Sequence, residues 1–111
     1  MTGRLVVPRG QAERDVELAV DYYAAEAGEA IAMGFIAALQ SAFMFIGDYP
    51  GAGSLRYAYE LDLPGLRAHR VKGYPYLVFY LEREDRIDVW RVLHARNDIP
   101  LWMSGPNAED V

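Results

Sequence analysis

The chain has 111 residues, 52% of them apolar, and sixteen acids against eleven bases give it a net charge of -5. That length fits one domain, in which folding hides roughly two thirds of the surface exposed by the unfolded chain, enough for a core without covalent staples. The lack of cysteine excludes disulfides, thiolate nucleophiles and cysteine-based zinc sites and fits a reducing compartment. MTGRLVVPRG carries no apolar leader segment, so the expected location is cytoplasmic.

The charge is unevenly spread, with three bases against seven acids in residues 1–50 and eight against six in residues 56–96. The acidic total argues against holding nucleic acid by phosphate neutralisation, so no direct nucleic-acid binding is expected, and an anionic partner would meet the C-terminal half.

In chain order, Arg4 to Val7 reads as a short strand closed by Pro8 and Gly10. From Gln11 to Ala27, apolar residues at Ala12, Val16, Ala19, Val20, Tyr23 and Ala27 line one face of an amphipathic helix, with Glu13, Arg14, Glu17, Asp21 and Glu26 opposite. Gly28 and Glu29 make a connection short enough to turn the next helix back antiparallel. That helix, Ala30 to Ile46, has only Gln40 and Ser41 as hydrogen-bonding side chains. Its length borders on a membrane span, but it lacks flanking bases and sits in a globular pattern, so no membrane partner is expected. One face (Ile31, Phe35, Leu39, Phe43, Ile46) is assigned to the sheet. The other (Met33, Ile36, Ala37, Met44) either meets the first helix or waits for a partner.

Pro50, Gly51 and Gly53 end the helix in what reads as a plain connector; GAGSLR lacks the lysine and helix start of a phosphate-binding loop. Leu66 to Lys72, Tyr74 to Leu81 and Arg86 to Leu93 then read as an antiparallel meander turning at Gly73 and at 82–85. In its middle strand Leu77, Phe79 and Leu81 are expected to seat the helices, with Tyr76, Val78 and Tyr80 turned away. The whole reads as one α+β domain over 1–111, with a tail from residue 101.

Metal and cofactor chemistry find no support. His69 and His94 are the only histidines, and Ser41, Ser54 and Ser104 lie in no activating context. The remaining constellation is basic: Arg67, His69, Arg70 and Lys72 on one strand, with Arg91, His94 and Arg96 ending another. A metal-free ribonuclease needs a proton-transfer pair and cations for the phosphorane charge, which His94 and the arginines would supply. Alternate strand residues face opposite ways, however, so Arg70 and Lys72 diverge from Arg67 and His69. The structural alternative pairs Arg91 and Arg96 with Asp88 or Asp98 and hydrogen-bonds His94 within the sheet's end.

The segment from Leu63 to Pro100 resembles the ParE toxins of the RelE/ParE toxin–antitoxin superfamily. Gly65-Leu66-Arg67, then Val71 with Gly73 and Tyr74, then Arg91-Val92 with His94 and Asp98 stand in the family's order and spacing. Pro75, directly after Tyr74, is a departure. The resemblance implies a β-α-α-β-β-β fold with an N-terminal helical hairpin on a small twisted antiparallel sheet. It also implies a growth-inhibiting toxin that acts on DNA gyrase and forms a hetero-oligomer with a ParD-like antitoxin, without catalysis.

Antitoxin contacts are then expected at Tyr22, Tyr23, Met33, Ile36 and Phe45, and target contacts at Arg67, Arg91, His94 and Arg96. RelE-type relatives of the same fold cut messenger RNA on the ribosome, and under that alternative Arg70, Lys72, Arg91 and His94 would be catalytic. A third possibility, from another class, is a non-toxic protein-binding module.

Overall fold

The computed structural model describes residues 3–96. The elements run β1 (Leu5–Pro8), α1 (Gly10–Ala27), α2 (Glu29–Asp48), α3 (Arg56–Leu61), β2 (Arg67–Arg70), β3 (Tyr76–Glu82) and β4 (Arg86–His94). The helical hairpin and the meander stand where periodicity puts them. Its turn rests on Gly28, whose φ of 98° favours a residue without a side chain. The tail from residue 101, Asn97, Asp98 and Pro100 lie outside the described residues.

The sheet order is β1-β4-β3-β2. The meander β2-β3-β4 is antiparallel, while β1 joins β4 in parallel, Leu5 opposite Arg86 and Pro8 opposite Val89, so the sheet is mixed. A parallel partner requires a long crossover, and the hairpin with the meander provides it. β1 also lies hard against the end of α2: a side chain on Gly47 would come 2.8 Å from the Arg4 carbonyl oxygen.

Two cores flank the sheet. The larger joins Ala12, Ala19, Phe35, Leu39 and Ile46 of the hairpin to Tyr76, Val78, Tyr80, Ile87, Val89 and Val92. The smaller joins Ala58, Leu66, Ala68, Phe79 and Leu93, with Leu77, Leu81 and Tyr57 against them. The faces of β3 are therefore the reverse of the expectation: the tyrosine-bearing face seats the helices and the aliphatic face lies under α3. The physical reason is that α3 closes the second side, so both faces of β3 are covered and alternation carries no label for which cover is which.

The connector is also more than a loop. Pro50–Ala52 forms a 3-10 turn, Ser54 bridges Ala68 beside β2, and α3 follows at once. Tyr80 ties this segment down: its hydroxyl accepts from Gly53 N–H at 3.1 Å and donates to the Pro50 carbonyl at 2.8 Å.

α2 is long and apolar enough to cross a membrane by length and composition, yet it packs as a core helix. Ala32, Phe35, Leu39, Ala42 and Ile46 are buried, and hiding each large side chain contributes about 1.5–3 kcal/mol. Ile31 (44% exposed), Met33 (59%) and Met44 (71%) remain open. Ile31 thus leaves the face assigned to it, and α1 does not cover the two methionines.

Candidate functional site

β1 ends at Pro8, so among the described residues no strand lies beside the outer edge of β4 from Trp90 onward. A bulge lies here: Tyr80 pairs with Val89 and Phe79 with Arg91, which leaves Trp90 without an opposite residue. Beyond the bulge, α1 takes over the edge. Asp15 accepts the Val92 amide at 3.0 Å and both the Nε (2.8 Å) and Nη2 (3.0 Å) of Arg91. The two side chains are 7% and 13% exposed, so this fork is almost dry.

Next to that latch opens a groove of about 560 Å³ lined by Asp15, Leu18, Tyr22, Tyr23, Pro75, Tyr76, Val92 and His94. Leu18 and Tyr22 stand one helical turn apart on its rim, 64% and 58% exposed. The floor is fixed by an aromatic cluster in which Tyr23 meets Phe35, Tyr74 and Tyr76 with ring centres 5.4, 5.4 and 6.1 Å apart. Burial, then the neighbouring phenols Tyr74 and Tyr22, push the Tyr23 hydroxyl above its ordinary pKa, so it stays neutral across the physiological range. His94 packs edge-on to Tyr76 at 5.4 Å, and its Nδ1 accepts the Arg96 amide at 3.1 Å.

Of the residues expected to meet an antitoxin, Tyr22 and Tyr23 line this groove. Met33, Ile36 and Phe45 do not: Met33 is exposed and Ile36 half-buried on α2, while Phe45 stacks on His69 at 5.0 Å beside β2. Burial lowers the His69 pKa below its ordinary value. Leu18, Pro75 and Val92 escaped the sequence reading. Leu18 falls outside the apolar spacing read for α1, and its place one turn before Tyr22 is the signal that could have found it.

The basic constellation does not converge. Arg70 pairs across the sheet with Leu77, which packs in the smaller core, whereas His94 pairs with Tyr76 on the helix-covered face. Arg91 is committed to Asp15 rather than to Asp88. Asp88 belongs to Arg9, which it meets at 2.9 Å, and to Arg83 at 3.5 Å. Burial alone would raise the Asp88 pKa, but the hydrogen bond and charge of Arg9, aided by Trp90 and Arg83, hold it below its ordinary value. Arg67 donates to the Gly53 carbonyl at 2.8 Å. Of the four expected target contacts only Arg96 is fully exposed. Among the described residues no three His, Cys, Asp or Glu side chains gather in a way that would hold a metal ion.

The described fold is shared with a solved structure. The chain matches a chain of the chromosomal ParDE toxin–antitoxin system from P. aeruginosa with a TM-score of 0.72, over 84% of this chain and 97% of that one, at 16% identity. Among curated proteins no sequence match was found. The family model described as ParE toxin of type II toxin-antitoxin system, parDE, matches residues 6–99. Reaching from within β1 past the end of β4, that match places the chain in the ParE toxin family of type II toxin–antitoxin systems.

Proposed function

We propose that this chain arrests growth in the cytoplasm by binding and blocking DNA gyrase, without breaking bonds itself, and that a ParD-type antitoxin neutralises it from the groove beside α1. Family membership supports the pairing with an antitoxin and the expectation of a non-enzymatic toxin. The observation that carries the binding reading is the dispersal of the groups a ribonuclease would need: Arg91 is clamped by Asp15, and Arg70 lies across the sheet from His94. A metal-free cleavage site requires proton-transfer and charge-stabilising groups around one phosphate.

Arg70, Lys72 and Arg96 are exposed, and none makes an ion pair among the described residues. They share one end of the sheet, because Arg70 closes β2, Lys72 opens the turn into β3, and the Ala95 amide bonds the Pro75 carbonyl. This end offers charge to a target. Pro75, Tyr76 and His94 also line the groove, so an antitoxin seated there lies against the same end and blocks it.

The test is supercoiling by purified gyrase. Stoichiometric toxin is expected to stop it and added antitoxin to restore it, with ribosomes and messenger RNA left intact. Ribosome-dependent cleavage by trace amounts of the chain, with gyrase unaffected, would overturn the proposal.

A further inference from the structure

We infer that the cavity between the α3–β2 connection and the bulge of β4 is a binding site for a small organic anion, a carboxylate carried on a compact apolar body. Its apolar lining belongs to the smaller core, on the side of the sheet away from the groove beside α1. The inference goes beyond the proposed action on gyrase and does not depend on it.

The cavity measures about 330 Å³, at the small end of the range for ligand sites. One of its walls is preformed. Leu66 N–H bonds the Leu63 carbonyl at 3.1 Å across Pro64 and Gly65, and Gly65 has a φ of 87°. Proline and glycine thus stand where a type II turn requires them, and the turn is stiff before anything binds. Leu63, Pro64 and Leu66 line the cavity from this turn, and Leu81 and Trp90 line it from the sheet.

The remaining lining residues are Arg9 and Arg83, and no acid is among them. Both are anchored by Asp88, whose side chain is 5% exposed and lies outside the lining. Arg9 gives Nε and Nη2 to that carboxylate and lays its guanidinium over the Trp90 ring, 4.4 Å from the centre. Arg83 reaches Asp88 only through Nη2 at 3.5 Å. Nη1 of Arg9, with Nε and Nη1 of Arg83, therefore makes no hydrogen bond among the described residues. One carboxylate faces two guanidiniums, which leaves a positive charge over. Neighbouring charges do not cancel it: Arg4 is matched with Glu82 and Arg86 with Asp85, while exposed Glu84 is outside the lining.

Spare side-chain donors beside aliphatic walls select an acceptor with an apolar body. A carboxylate takes parallel hydrogen bonds from a guanidinium, and its hydrocarbon part removes the leucine surfaces and the indole from water. A cation would be repelled, and a neutral ligand would leave the surplus charge unanswered. Because Asp88 and the Trp90 ring already hold Arg9 in place, less side-chain freedom is lost when the anion arrives. If these arginines only braced the sheet, one would suffice to neutralise Asp88.

The experiment titrates the full chain with 3-phenylpropionate and follows the indole N–H resonance of Trp90, identified by its disappearance in Trp90→Phe. The neutral amide of the same acid is the control. The acid is expected to give a saturable shift with a Kd of about 1 mM or tighter, weakened by added salt, and the amide to give little or none. Loss of a charge-assisted donor in Arg83→Gln should weaken binding about tenfold or more, while Arg86→Gln, outside the cavity, should bind as wild type. Circular dichroism confirms that each variant is folded, and should one fail to fold, the comparison of acid with amide on wild type decides. N-acetylphenylalanine, the same acid at the end of a peptide unit, reports the source of the ligand. Weaker binding than the plain acid supports a free small molecule, and tighter binding would overturn that assignment in favour of a chain terminus. No shift at about 10 mM acid, equal binding of the amide, or an equal loss in Arg83→Gln and Arg86→Gln would overturn the site.

Discussion

The helical hairpin and the sheet treat charge in opposite ways. On the sheet side Arg4, Arg9, Arg83, Arg86 and Arg91 each face a carboxylate, and Arg67 a carbonyl. On the hairpin Asp15 alone of the α1 acids is paired among the described residues, and exposed Glu13, Glu17 and Asp21 form a row beside exposed Leu18 and Tyr22. Most of the sheet's arginines are spent on holding it together, and Arg70 at the end of β2 is the exception. The hairpin leaves both apolar area and charge unused, which is how a recognition surface differs from a structural one. Substitutions on the two sides should therefore separate stability from binding.

The largest effect on folding is expected at Asp15. Its loss leaves the guanidinium of Arg91 and the amide of Val92 buried without their carboxylate, a kind of break that typically costs about 3–5 kcal/mol. Urea unfolding of Asp15→Ala should show a greatly lowered midpoint, and a shift under 1 kcal/mol would mean that the latch is not structural. Because an intact buried pair is weak evidence for net stability, a double variant with matched apolar residues should recover much of the loss.

Tyr80→Phe comes next. The buried Gly53 amide loses its acceptor and the Pro50 carbonyl its donor, for about 1–3 kcal/mol. If the two segments fold as one, amide exchange should quicken across 50–54 and α3 together. Confinement of the change to Gly53 alone would show the connector to be independent of the sheet.

Acid sensitivity is smaller and has two windows. His69 has a folded pKa below its ordinary 6.5, so the unfolded chain takes up the proton first and stability falls as pH drops below 6.5. Asp88 is likewise depressed below its ordinary 3.8, and its contribution, fully present above 3.8, is lost as pH falls through the folded value. Thermal unfolding followed from pH 7 to pH 3 should lose its first step in His69→Phe and its second in Asp88→Asn.

Least disturbing to the fold is Tyr22→Ala, on the exposed rim. It should change stability by no more than about 0.5 kcal/mol while allowing the toxin to escape its antitoxin in a growth assay. A variant that is neutralised as well as wild type would sever the link between exposed apolar area and recognition.

Most of the skeleton is legible in the sequence. The one-turn spacing from Ala12 to Ala27, the break at Gly28, the apolar run of α2 and the three alternating runs after Leu66 each encode a local element, because helix and strand periods are properties of contiguous residues. Order and class follow from those, while the family resemblance rests on the motifs from Gly65 to Asp98. The short helix Arg56–Leu61 left no such trace, since six residues span too few turns to display a period.

What only the tertiary structure decided is which distant groups meet. Asp15 and Arg91 are separated by most of the chain, and nothing in either neighbourhood names the other. Their pairing arises because β1 ends one rung before the bulge and α1 comes down on the exposed edge. The same placement tied Arg91 to Asp15, put Leu18 and Tyr22 on a groove rim, and sent Phe45 to a different face. Periodicity determines which side of an element is apolar; only packing decides what covers that side and what is left uncovered.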